Sequence, residues 1–155
     1  LGNLYEIATR AVRALVYNSA SLNVATGTTH TTVTFNSETY DTDNMHSTSS
    51  NTSRLTCTIA GMYHISGLIR WQSATGGRRQ LRILLNGSTV IKLIEPPSLA
   101  DGTVVPFMAI DAVYPLSVND YVELQVLQTS GGTITIDTTT GNSTPSLGMI
   151  RLGPL

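Results

Sequence analysis

Apolar and polar side chains alternate with a period of two along most of this chain from residue 12 onward. That period is typical of half-buried strands, whereas an amphipathic helix would need a period of about 3.6. Thr, Val and Ile, which are stiff at χ1 and favour strands, supply 45 of the 155 residues. The predicted strands are Val12–Tyr17, Thr31–Phe35, Leu55–Ile59, Met62–Trp71, Gln80–Leu85, Thr89–Ile94, Val104–Tyr114, Tyr121–Leu127, Thr133–Thr138 and Leu147–Leu152. Short strands at roughly 8–12-residue spacing predict an all-β sandwich or barrel.

The segments between these strands contain residues typical of turns. Asn86-Gly87 joins two apolar runs and predicts a tight hairpin with positive φ at both residues. Gly76-Gly77 predicts a longer hairpin loop. The stretch Asp41–Ser53 is poor in apolar residues and rich in Ser, Thr and Asn, so it predicts a surface loop.

The start of the chain has a different spacing. Apolar residues recur there at intervals of three and four, the seam of a short amphipathic helix: Leu1, Leu4, Ala8, Ala11 and Leu15. So short a helix needs neighbours for stability. We therefore expect residues 1–11 to form a helical arm, either a cap on the domain's own core or the end of an upstream shaft, and residues 12–155 to form one domain.

Charge and composition exclude several classes of protein. With a formal net charge of −1, the chain has no global footprint for nucleic acid or for an anionic membrane surface. No apolar run approaches about 18 residues, so no membrane-inserted helix is predicted. The lone Cys57 excludes an intrachain disulfide framework and multi-cysteine zinc sites.

Motifs for catalysis are not found in the sequence. His30, His46 and His64 lie far apart and lack the i, i+4 spacing of a helical metal site. No Gly-x-Ser-x-Gly elbow and no phosphate-binding glycine loop occurs. We therefore expect no enzymatic activity and no bound metal or other cofactor, with calcium at the Asp41 loop as the one candidate considered below.

Two of the predicted strands have apolar residues on both faces. In Met62–Trp71 one face presents Tyr63 and Ile65, and the other face also holds apolar side chains. The predicted strand Tyr121–Leu127 likewise has apolar or aromatic residues on both faces. Such strands are either central in a sheet or contact another subunit. We expect the following residues to serve core packing and subunit assembly: Tyr63, Ile65, Tyr121, Leu124 and Met149.

Several of these segments resemble the complement C1q globular-head family. Leu55-Thr56-Cys57 followed by Gly61-Met62-Tyr63-His64-Ile65 is similar to its pattern of an aromatic, five residues and Gly-x-Tyr-x-Phe, with Leu55 and Ile65 in place of aromatics. Phe35 and Asp41 have the family's spacing. Asp120–Leu124 resembles its penultimate strand, and Ser146–Leu152 resembles its closing strand.

The resemblance implies a ten-stranded C1q/TNF-like jelly roll that assembles as a homotrimer and binds partners instead of catalysing reactions. The stretch Tyr40–His46 also resembles modules at the ends of bacteriophage tail and capsid fibres. The first hypothesis is therefore a fibre-tip domain on the virion surface that attaches to a host glycan or protein or to another virion protein. The alternatives are a capsid decoration or cementing protein without a ligand of its own, and a secreted C1q/TNF-like binding trimer.

Loops at the ends of such a sandwich are the expected contact sites. Arg78 and Arg79 form a basic hairpin tip, and planar guanidinium groups are favoured at interfaces, so both are predicted to contact the partner. Asp41 and Asp43 are the next candidates. Together with Asn44 they offer hard oxygen ligands for calcium, although Asx side chains also cap turns.

Overall fold

The computed structural model describes residues 11–98, 106–138 and 144–155, and this part of the chain contains twelve β-strands and no helix. The strands are β1 Arg13–Tyr17, β2 Leu22–Val24, β3 Thr31–Thr32, β4 Ser37–Asp41, β5 Arg54–Thr56, β6 Gly61–Arg70, β7 Arg79–Leu85, β8 Thr89–Ile94, β9 Phe107–Leu116, β10 Tyr121–Gln128, β11 Ile134–Ile136 and β12 Ser146–Gly153. The predicted N-terminal helical arm lies outside the described residues, apart from Ala11. In the described ranges no helix is long and apolar enough to cross a membrane.

Ten of the strands form two antiparallel sheets, which confirms the predicted all-β sandwich. The first sheet has five strands in the order β4-β1-β12-β6-β9. The second contains β3-β10-β7-β8, and β5 also pairs with β10. The remaining strands, β2 and β11, pair with each other as a two-stranded ribbon.

Two strands, β2 and β4, are absent from the sequence prediction. β4 lies at the edge of the first sheet and pairs only with β1 along its length. Its residues Glu38 and Thr39 are exposed, so the segment lacks an apolar face. Backbone pairing with β1 makes it a strand where the side-chain pattern gives no signal. A third difference is at β9, which continues through Pro115 to Leu116, and a proline is tolerated there because β9 is also an edge strand.

The core lies between the two sheets. Along β6 buried residues alternate with half-buried ones over the whole strand, and Tyr63 and Ile65 are fully buried. Leu124 from β10 and Met149 from β12 are fully buried as well. Tyr121, the fifth residue assigned to packing and assembly, is half-buried at the start of β10. Four of the five therefore pack inside a single copy of the chain.

One glycine lies at a close approach between the sheets. Gly67 lies in the middle of β6, and a Cβ built there would lie 2.6 Å from Cδ2 of Leu124 on the opposite sheet. A side chain at this position would require Leu124 to move. The predicted Asn86-Gly87 hairpin is also confirmed, with φ of 51° and 72° at the two residues between β7 and β8.

Candidate functional site

The outer face of the first sheet, the side turned away from the second sheet, is rich in exposed apolar side chains. Phe107 and Val113 on β9 are 58% and 54% exposed, and Ile150 and Leu152 on β12 are 39% and 59% exposed. On β6, His64 pairs with Ile150 on one side and with Val113 on the other, so one row crosses three strands. Alternation places these side chains outside because their neighbours in sequence fill the core.

Charged groups on this face are few and have partners. His64 Nε2 lies 3.8 Å from Asp111 Oδ2. The guanidinium of Arg13 lies 5.1 Å from the Tyr40 ring centroid. Arg70 lies 5.4 Å from the centroid of the Phe107 ring and also donates to Asp137. The face is therefore an apolar surface with isolated polar contacts.

The loop between β4 and β5 is anchored by Asp41. Its Oδ1 accepts hydrogen bonds from the backbone N–H groups of Asp43 and Met45, at 3.1 and 3.0 Å, and its Oδ2 accepts one from His46 at 2.9 Å. This arrangement corresponds to the capping role of an Asx side chain. In the described residues no group of three or more His, Cys, Asp or Glu side chains is placed to hold a metal ion.

The same loop is tied to the sandwich at further points. The buried His46 ring has Nδ1 2.9 Å from Glu38 Oε1 and Nε2 3.1 Å from the Thr52 carbonyl oxygen. Met45 is buried, and its carbonyl accepts a hydrogen bond from the Thr56 N–H at 2.7 Å. A polar thirteen-residue stretch that would otherwise be free to move is thus held in one conformation.

A polar depression of about 190 Å³ lies between this loop and β5. Met45 and His46 form part of its lining, and the other residues that line it carry an amide, hydroxyl or guanidinium group: Asn44, Asn51, Ser47, Ser50, Thr56 and Arg54. The Arg54 guanidinium carbon lies 4.0 Å from the centroid of the Tyr121 ring, and Arg54 Nε lies 3.4 Å from Glu123 Oε1. The depression therefore combines one oriented cation with neutral hydrogen-bonding groups.

The predicted hairpin at Gly76-Gly77 is wrong, because this loop joins β6 of the first sheet to β7 of the second, and β6 pairs with β12 and β9 while β7 pairs with β10 and β8. The two arginines that follow the loop are placed differently. Arg78 is exposed and pairs with Glu95, whereas Arg79 is buried. Arg79 Nη1 donates to the carbonyl oxygens of Gly76 and Arg78, both at 3.0 Å, and burial lowers the pKa of its guanidinium. Successive residues of a strand point to opposite faces, so a surface partner could reach only Arg78 directly. The structure therefore corrects the expectation that both arginines present their charge at the surface, because only Arg78 does.

The sequence prediction did not single out Arg54 or Glu123, and it considered His46 only as a metal ligand. Nothing near Arg54 in the sequence distinguishes it, because the ring that it stacks on and the carboxylate that it faces both come from β10. Glu38 lies on β4 and His46 in the loop that follows it, and only the folded loop brings the two side chains together.

Solved structures with two different names match this architecture. The globular domain of zebrafish complement 1qA protein matches with a TM-score of 0.62 at 15% identity, covering 92% of this chain and 98% of that one. Murine APRIL matches in crystal structures at pH 8.5 and pH 5.0, with TM-scores of 0.62 and 0.64, identities of 8% and 10%, and coverage of 92% and 100%. The chain has the C1q/TNF-like jelly-roll fold.

The C1q/TNF-like fold confirms the architecture that the resemblance implies, with ten strands in two five-stranded sheets. No protein-family model and no curated protein sequence matches the chain. At these low identities the likeness concerns the fold alone. The resemblance to bacteriophage fibre modules receives no support from the matched structures and remains a proposal.

Proposed function

We propose that this chain is a homotrimeric binding domain that assembles through the outer face of its first sheet and contacts partners through its loops. The observation that carries the proposal is the exposed row across β12, β6 and β9, in which the apolar Ile150 and Val113 lie on either side of His64. Soluble monomers rarely expose contiguous apolar patches larger than a few hundred Å². A subunit interface would remove this surface from water.

A closed ring of three copies suits such a face. In a threefold ring each copy contacts its neighbour through two different patches, so the apolar face of one copy meets another part of the next copy. Obligate interfaces of this type bury roughly 2,000 Å² or more and resemble a core cut in half. The scarcity of unpaired charge on the outer face supports burial of that kind.

The finer proposal is attachment at the virion surface, as the tip of a bacteriophage tail or capsid fibre. It is supported by the resemblance of Tyr40–His46 to such fibre modules. The proposed contact residues are Arg78 in the exposed loop between β6 and β7, and Asp41 and Asp43 at the loop after β4. Arg79, whose Nη1 donates to the Arg78 carbonyl oxygen, would support Arg78. The likeness in fold to zebrafish complement 1qA protein and murine APRIL favours, as the second candidate, a secreted binding trimer.

The mass of the particle in solution tests the assembly. We expect light scattering to give three times the chain mass of 16.6 kDa for the wild type. Val113→Asp should give monomers, because it places a carboxylate in the apolar row. Val90→Asp is the matched control, because Val90 is 44% exposed but belongs to β8 on the second sheet. A monomeric wild-type protein at micromolar concentration would overturn the proposal.

Binding of the labelled trimer to intact bacteria and to cultured mammalian cells tests the finer proposal. Retention on bacteria supports virion attachment, and retention on mammalian cells supports the secreted trimer. Arg78→Ala should reduce retention while the trimer persists, with Lys92→Ala on exposed β8 as a control for loss of one positive charge. A trimer that binds only to phage capsids would instead indicate the decoration role.

A further inference from the structure

The polar depression between the β4–β5 loop and β5 has the chemistry of a ligand site. We propose that it binds a terminal acidic sugar, with the sugar carboxylate on the guanidinium of Arg54. This inference deepens the proposed binding function and rests on it. It identifies a site separate from Arg78 in the β6–β7 loop, and it names the chemical class of the ligand.

The first support is the way in which Arg54 is held. Its guanidinium carbon lies 4.0 Å from the Tyr121 ring centroid, a cation–π distance that restrains the position of the group. Its Nε faces the buried carboxylate of Glu123. Within the described residues Nη1 and Nη2 have no hydrogen-bond partner, and the side chain is 35% exposed. Two parallel donors on a rigid fork match a carboxylate.

Glu123 compensates the positive charge of Arg54 only in part. Their closest contact is 3.4 Å, longer than the roughly 2.7–2.9 Å of a strong charge-assisted hydrogen bond. The same Glu123 oxygen accepts a shorter hydrogen bond, 2.6 Å, from the Ser53 hydroxyl. Glu123 therefore orients the guanidinium while leaving it able to attract an anion.

The remaining wall suits a polyol. Asn44 and Asn51 line the depression, and within the described part of the chain their side-chain amides have no hydrogen-bond partner. Hydroxyl groups of Ser50 and Thr56 lie in the same wall. Amides and hydroxyls both donate and accept, as the ring hydroxyls of a sugar require. Phosphorylated peptides are usually bound by clusters of arginines, whereas a single guanidinium lines this depression.

The size and the rigidity of the depression also suit a sugar ligand. The depression of about 190 Å³ is smaller than the roughly 300–1,000 Å³ of pockets for drug-sized ligands, so it suits a single sugar ring. The hydrogen bonds that Asp41 accepts and the contacts of His46 fix the loop before any ligand arrives. A preformed site avoids the entropy cost of ordering a loop on binding.

The test is calorimetric titration of the purified protein with the methyl glycosides of glucuronate and N-acetylneuraminate, and with methyl glucoside as the neutral probe. We expect binding of at least one acidic probe and none of the neutral one. Arg54→Gln should weaken binding roughly tenfold to a hundredfold, because it removes a hydrogen-bonded charge pair. Lys92→Gln is the matched control, since it removes one positive charge from an exposed position on β8, and should leave binding unchanged.

A second variant keeps the test valid if Arg54→Gln unfolds. Asn51 has a φ of 49°, which glycine adopts freely, so Asn51→Gly removes the amide and preserves the backbone. It should weaken binding of the acidic probe without changing the melting temperature. Unaltered binding in both variants, loss of binding in Lys92→Gln alone, or equal affinity for inorganic phosphate would overturn the inference.

The particle mass, measured on the same samples, separates this inference from the proposed function. A trimer that binds neither acidic sugar overturns the sugar site and leaves the trimeric binding domain standing. A monomer that binds an acidic sugar through Arg54 overturns the assembly and supports the site.

Discussion

Arg78 and Glu95 form a bidentate ion pair, with Nε 2.8 Å from Oε1 and Nη2 2.8 Å from Oε2. The Gln80 amide also donates to Glu95, and His30 Nε2 lies 2.9 Å from the Gln80 oxygen. The pair joins the end of the β6–β7 loop to the segment just after β8. These hydrogen bonds, first that from Arg78 and then that from Gln80, lower the pKa of Glu95 from 4.5 to about 2.

The first prediction concerns the stability of the folded chain at low pH. Because the pKa of Glu95 is lower in the folded chain, its contribution to stability is complete above pH 4.5 and is lost as the pH falls towards about 2. We expect Glu95→Gln to be slightly less stable than wild type at neutral pH, and the difference in urea midpoint to shrink across that window. The pair is solvent-exposed, so the difference will be small. A difference that stays constant from neutral pH to pH 2 would assign the effect to something other than this titration.

The second prediction concerns the distance between the sheets. Gly67→Ala places a Cβ 2.6 Å from a Leu124 methyl and 3.2 Å from Cγ2 of Ile110, so side chains or sheets must move. We expect a loss of about 1–3 kcal/mol in the free energy of unfolding. Gly132→Ala is the control, because a Cβ there meets nothing within 4 Å and the backbone φ is not positive. Equal urea midpoints for the two variants would contradict the role given to Gly67.

The third prediction concerns Tyr63, which is fully buried and donates its hydroxyl to the Ile59 carbonyl at 2.6 Å. Tyr63→Ala should cost about 3–5 kcal/mol of stability through lost packing. Tyr63→Phe should cost only about 0.5–1.5 kcal/mol, since Cys57 Sγ also donates to that carbonyl. Thermal and urea unfolding measure both. If Tyr63→Ala kept its melting temperature and oligomeric state but lost partner binding, Tyr63 would be a ligand contact and not a packing residue.

The fourth prediction concerns Asp41. Its two oxygens accept three backbone hydrogen bonds within the β4–β5 loop, and Asp41→Asn removes the charge and one acceptor oxygen. We expect a loss of about 1–3 kcal/mol and faster proteolysis in that loop. Calcium should not change the melting temperature of the wild type, because the carboxylate is already used by the backbone. A calcium-dependent rise that EDTA reverses, and that Asp41→Asn abolishes, would instead identify a cation site.

Local physics explains what could be predicted from the sequence. The alternation over Met62–Trp71 predicts a long strand with Tyr63 and Ile65 on one face, and β6 spans Gly61–Arg70 with both residues in the core. Asn86-Gly87 predicts its own hairpin because Asn and Gly tolerate positive φ. In both cases the chemistry of neighbouring residues is sufficient, since side-chain period and backbone preference act over a few positions.

Tertiary structure alone decided the rest. β4 is a strand because β1 offers it hydrogen bonds, although its side chains show no apolar period. Arg79 is buried and Arg78 exposed, because register and sheet position determine which face of β7 meets Trp71. Arg54 becomes a candidate ligand contact only when β5 pairs with β10 and brings Tyr121 beneath its guanidinium. Pairings of this kind join residues that are far apart in the chain. A local sequence pattern extends over a few positions, so it cannot predict which distant strand supplies the aromatic ring, the carboxylate or the backbone hydrogen bond.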